Sequence, residues 1–131
     1  MLFIVSGCTV YNFPAAYPGA GEAQPLGSFS GIWNRVPGTM SEYAKSIECK
    51  EYYLDNASTQ DVKKHYQAEM EKQGWVGEPT TYGYNEDMTI MLEWINSSHT
   101  AGVRVEYMSY MPGFGGGKMM INSLVVCVGN P

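Results

Sequence analysis

The residues of this chain that could take part in chemistry are few: three cysteines, two histidines, nine methionines and a scatter of carboxylates. His65 falls between Asp61 and Glu69 at four-residue steps, which on a helix puts two carboxylates and an imidazole on one face, a set suited to a divalent cation. Exposed pairs on any solvated helix give the same spacing, and no second His or Cys is near in sequence, so no metal site is expected. His99 follows Ser97 and Ser98, a cluster that reads as turn chemistry rather than a nucleophile with its base. Glu86 and Asp87 are adjacent at a turn and point apart into solvent, where neither carboxyl gains the burial that a general acid needs. The run from Gly113 to Lys118 has the glycine density of a phosphate cradle. Pro112, however, stands in the place of its first glycine, Met119 replaces the hydroxyl residue that would hold Mg²⁺, and a strand rather than a helix follows. That run is expected to be a hairpin loop. No catalytic residue, no cofactor and no enzymatic activity are expected.

The methionines are the better lead. Met88, Met91, Met108, Met111, Met119 and Met120 gather in the last third of the chain, and thioethers either bind Cu(I) or adapt to varied apolar partners. A small-ligand or copper-handling protein is therefore the alternative to a pure binding module.

The elements that must position these residues follow from periodicity. Ser58 with Asp61 three residues on gives a helix N-cap; Val62, Tyr66 and Met70 recur at four-residue spacing; Gly74 ends the helix, with Trp75 placed to fold back on its last turn. Strand character is read at 47–54, 75–84, 89–95, 101–110 and 119–128, with turn residues between them, so an antiparallel meander is the simplest topology. The fold class expected is α+β, one helix packed on an antiparallel sheet of about five strands. On the sheet face away from the helix, Met91, Ile95, Met108, Tyr110, Ile121, Val125 and Cys127 are expected to form an apolar strip, which marks a partner, a dimer contact or a lipidic ligand if open and is merely structural if the chain's own aromatic N-terminal stretch folds over it.

The chain has 131 residues, enough for a single core, with 44% apolar, 13% aromatic and only 16% charged residues. A net charge of −5 with no basic run removes the source of phosphate-backbone affinity, so no nucleic-acid partner is expected. The chain opens on Met-Leu-Phe-Ile-Val-Ser-Gly-Cys, an apolar run too short to span a bilayer. Its end, Val5-Ser6-Gly7-Cys8, resembles the lipobox of bacterial lipoproteins, in which the cysteine carries diacylglycerol and becomes the mature N-terminus. The resemblance implies that residues 1–7 are the remnant of a lipoprotein signal peptide, that its basic start lies upstream, and that Cys8 is the lipid anchor. Thr9, where an Asp would favour inner-membrane retention, points to the outer membrane, facing the periplasm. Residues 8–31 carry Pro14, Pro18, Gly19, Gly21, Pro25, Gly27 and Gly31 without a helix or strand period and read as a tether, leaving 32–131 as the single folded domain. With Cys8 lipidated, Cys49 and Cys127 remain as an even pair consistent with one disulfide in an oxidising compartment, buried free thiols being the alternative.

A second likeness covers about a third of the chain. Val36-Pro37-Gly38, the strand Tyr52-Tyr53-Leu54, and Ser58 through Val62, Lys63, Lys64, His65 and Tyr66 to Gln73-Gly74-Trp75 are similar to a pattern of small bacterial envelope proteins of unassigned function. It implies a strand, a helix and further antiparallel strands, and brings no catalytic residue. The combined expectation is a lipid-anchored, non-catalytic module that binds another envelope protein.

Overall fold

The computed structural model describes residues 10–21, 24–26, 42, 44–55, 57–82 and 85–131. Strands β1 (Gln24–Leu26), β2 (Ser46–Tyr53), β3 (Thr80–Tyr82), β4 (Thr89–Ile95), β5 (Gly102–Pro112) and β6 (Lys118–Asn130) form one sheet, and helix α1 (Thr59–Lys72) lies between β2 and β3 in the chain. The helix starts and stops where its residues dictate. The Ser58 hydroxyl accepts from the Asp61 N–H at 3.1 Å, satisfying one of the donors that a first turn leaves open. At the far end Gly74 takes φ +86°, so that the Trp75 N–H reaches back to the Met70 carbonyl at 3.1 Å and closes the last turn. Val62, Tyr66 and Met70 are fully buried on its inner face. Each apolar side chain so covered contributes about 1.5–3 kcal/mol of transfer free energy.

The α+β arrangement of one helix on an antiparallel sheet is as the sequence pattern predicts, while the topology differs from a plain meander. Strand order is β1-β2-β6-β5-β4-β3 with every neighbouring pair antiparallel. The run β3 to β6 is a meander, but β2 sits beside β6, and the helix carries the chain across the sheet to its opposite edge. Among the described residues the sheet has six strands, close to the five or so expected, the additional one being β1, from within the stretch read as a tether. Its Pro25 is tolerated because β1 is an edge strand, whose outer side needs no ladder partner. β3 is three residues long instead of the expected 75–84. Trp75 belongs to the helix ending, Gly77 takes φ +92° and Pro79 follows, so no ladder can begin before Thr80.

The helix packs on the face bearing Tyr52, Ile90, Leu92, Trp94, Val103, Val105, Leu124, Val126 and Val128. Tyr107 joins this core, and its hydroxyl donates to the Ala57 carbonyl at 2.8 Å, tying β5 to the turn before the helix. Residues 10–21 also lie on this side: Tyr11, Phe13, Tyr17 and Ala20 pack against the same core. The Tyr11 N–H donates to Asn130 Oδ1 at 2.7 Å, Asn130 Nδ2 donates to the Tyr11 carbonyl at 3.2 Å, and the Gly21 N–H donates to the Tyr53 carbonyl at 2.8 Å. Over its described residues the stretch 8–31 is thus bound along the domain and not a free tether; burial of its aromatic side chains outweighs the conformational freedom of its glycines and prolines.

The opposite face departs from the apolar strip expected of it. Register places Glu93, Arg104, Cys127 and Cys49 in one row across β4, β5, β6 and β2, and Met91, Glu106, Val125 and Glu51 in the next. Charged residues therefore interrupt the strip, and none of its members is exposed. The described part of the aromatic stretch packs on the helix side and does not cover it. Ile121 loses its expected alignment because β6 carries an irregularity here: Met108 pairs with Ser123 but Tyr110 pairs with Met120, and Asn122 takes φ +54°.

Candidate functional site

The feature that stands out from the packed body is the end of the β5–β6 hairpin. β4 stops pairing with β5 at Met108, and β2 stops pairing with β6 at Ser123. Beyond those residues, among the described residues, the two strands pair only with each other, through Tyr110–Met120, Met111–Met119 and Pro112–Lys118. Two bonds hold the base: the Ser109 N–H donates to the Met88 carbonyl at 2.8 Å and the Leu54 N–H to the Asn122 carbonyl at 3.0 Å. The tip closes through the Gly113 N–H to the Gly117 carbonyl at 2.8 Å, with Gly115 and Gly116 at φ +82° and +85°, a conformation that side chains resist. At ~3.3 Å per residue the arm extends roughly 10–15 Å past the ends of the described β2 and β4 ladders.

Its surface is unusual for a part in water. Phe114 is fully exposed, and Met111, Met119 and Met120 are exposed as well. From Tyr107 to the final residue the sequence has no Asp or Glu, and Lys118 is its single charge, although the whole chain is at −5. The Lys118 ammonium lies 4.5 Å from the centre of the Tyr110 ring, a cation–π contact that holds its stem along the arm. Flexible thioethers, one phenyl ring and a lone cation form an adaptable apolar contact surface.

The other sequence-derived sites resolve as follows. Cys49 and Cys127 are joined in a disulfide between directly opposed residues of β2 and β6, Cα–Cα 4.1 Å. Cys8 lies outside the described residues. Asp61, His65 and Glu69 do not converge: Asp61 is exposed, His65 Nε2 meets the Ala15 carbonyl at 2.9 Å while its ring stands edge-on to Tyr17, and Glu69 pairs with Lys72 at 2.9 Å. Among the described residues no group of three or more His, Cys, Asp or Glu side chains is arranged to hold a metal ion.

Two features carried little signal in the sequence. The first is the ionic row on the sheet face away from the helix, where Arg104 Nε donates to Glu93 Oε2 at 2.8 Å with both side chains buried, and Glu106 Oε1 lies 4.0 Å from Arg104 Nη1. Burial drives the Glu106 carboxyl up to about 7; the Arg104 charge opposes the shift and the Glu93 charge adds to it. The second is a hollow of about 470 Å³ at the end of the helix, bordered by Tyr11, Gln73, Trp75, Val76, Ile95 and Asn96. Tyr11 and Trp75 lie ring to ring there, centroids 4.8 Å apart. Neither could be read locally, because each joins residues from strands or turns distant in sequence. The arm left one trace in the sequence, its run of Met and Phe without an acid. No protein-family model, no curated protein and no solved structure matches this chain.

Proposed function

We propose that the chain is a lipid-anchored protein of the bacterial cell envelope, attached through Cys8, whose β5–β6 arm inserts into another envelope protein as a non-catalytic binding or assembly module. The observation that carries this reading is the arm: exposed Phe114, Met111, Met119 and Met120 on a ribbon that outlasts the sheet. The lipobox-like Val5-Ser6-Gly7-Cys8 supports the anchor, and the Cys49–Cys127 disulfide fits an oxidising compartment such as the periplasm, with the outer membrane favoured by Thr9. A photo-crosslinking residue in place of Phe114, activated in intact cells, tests the reading. A discrete protein adduct is expected, and an adduct-free arm with the protein at native abundance rejects it. Mass spectrometry of the membrane fraction tests the anchor, since Cys8 should bear diacylglycerol.

A second reading has one specific observation in its favour. Met111 and Met119 are directly paired across the arm and both exposed, so two thioethers lie side by side. A periplasmic copper-handling protein would bind Cu(I) there, and titration of the wild-type chain against Met111→Leu separates this reading from the first.

A further inference from the structure

We infer that the end of the domain built from Tyr11, Trp75 and Val76 rests on the lipid surface into which Cys8 is anchored, so that the β5–β6 arm points away from that membrane. The inference rests on the Cys8 reading and adds an orientation to it. Tyr11 is fixed by two hydrogen bonds to Asn130, the last residue of β6. Cys8 is three residues upstream, and three extended residues span at most ~11 Å. Acyl chains on Cys8 would therefore enter the bilayer close to Tyr11 and not at the end of a long leash.

What lies at that end suits the boundary between headgroups and acyl chains. Val76 is 97% exposed and Val10 is 69% exposed, two apolar side chains with no cover among the described residues. Between them Tyr11 and Trp75 line the open hollow with Ile95, and none of the residues bordering it is charged. Tyr and Trp are the side chains that favour this layer, and with its indole N–H buried Trp75 offers the apolar part of its ring to the hollow. Glu71 and Glu78 flank the neighbouring side of Trp75, so the contact is not driven by attraction to anionic lipid. The patch is small and would hold weakly alone; the anchor supplies the high local concentration that makes it effective. β6 runs from this end to the arm, and its 13 residues span about 40 Å. The arm's apolar tip is thus carried well outside the headgroup layer.

The test uses the full chain isolated from membranes and reconstituted in phosphatidylethanolamine vesicles containing bromine-labelled lipid, which quenches indole fluorescence at short range. The Trp75 signal is the difference between wild type and Trp75→Phe. It is expected to fall at least about twofold with bromines near the headgroups. It is also expected to survive high salt and to be reduced by Val76→Asp, a change at an exposed site that leaves the fold intact. A second indole introduced as Phe114→Trp in the Trp75→Phe background should be unquenched. Quenching at position 114 and not at Trp75 overturns the orientation, as does the absence of quenching at both. The mass of the Cys8 peptide is read from the same sample: lipidated Cys8 with unquenched Trp75 rejects the contact and leaves the anchor standing, whereas unmodified Cys8 rejects the anchor itself.

Discussion

Arg104 is buried between two carboxylates and its charge is matched by Glu93, which leaves Glu106 as the surplus acid in a region of low dielectric. Because the folded state raises the Glu106 pKa from its ordinary 4.5 to about 7, the native protein holds that proton more tightly than the unfolded chain between these values. Stability associated with this group is complete below about pH 4.5 and declines as pH rises through 7. Glu106→Gln should therefore flatten the pH dependence of the melting temperature across this window and raise stability at pH 8 by on the order of 1–3 kcal/mol. Removing Arg104 alone should act in the opposite sense. Arg104→Met leaves the Glu93 charge buried without its cation and should cost about 3–5 kcal/mol, while Glu93→Leu combined with Arg104→Met should restore most of the loss in urea denaturation. Nothing local in the sequence shows that Glu93, eleven residues before Arg104, meets it in the next strand.

Among the elements, those whose signals are local were read most completely. The helix begins at Thr59 after Ser58 and ends before Gly74 because capping and the left-handed turn are encoded within a few residues, and β4 occupies 89–95 as its alternation predicts. Ser58→Ala should lower stability by about 1 kcal/mol in chemical denaturation, the usual loss for a capping oxygen. What could not be read is pairing over long separations. β1 was hidden in proline and glycine, β3 was cut short by the glycine and proline before it, and the neighbourhood of β2 and β6 joins residues 78 apart at their disulfide. Closing that loop lowers the entropy of the unfolded chain, so Cys49→Ala with Cys127→Ala should depress the melting temperature and cost up to about 4 kcal/mol of stability on the loop-closure estimate. Dithiothreitol should reproduce the shift in the wild type and leave the double variant unmoved. The arm was legible as a glycine-rich hairpin loop among methionines; its exposure follows from where β2 and β4 stop, which depends on their own turns.

For the molecule as a whole, the arm and the Tyr11–Trp75 end lie at opposite ends of β6, so changes at one should be silent at the other. With the crosslinker kept at position 114, Met111→Ser together with Met119→Ser should remove the proposed partner adduct while leaving stability within about 0.5 kcal/mol of the parent, since both side chains are exposed. A loss of stability from that pair would mean that the arm packs on its own domain. The order of the strands also bears on when this protein can fold. β6 follows every other described strand in sequence yet sits inside the sheet, between β2 and β5, and it supplies the second half of the disulfide. A nascent chain lacking it has its two largest ladders unformed. The halves β1-β2 and β5-β4-β3 share no other ladder among the described strands, so the sheet becomes one body only when this strand takes its place.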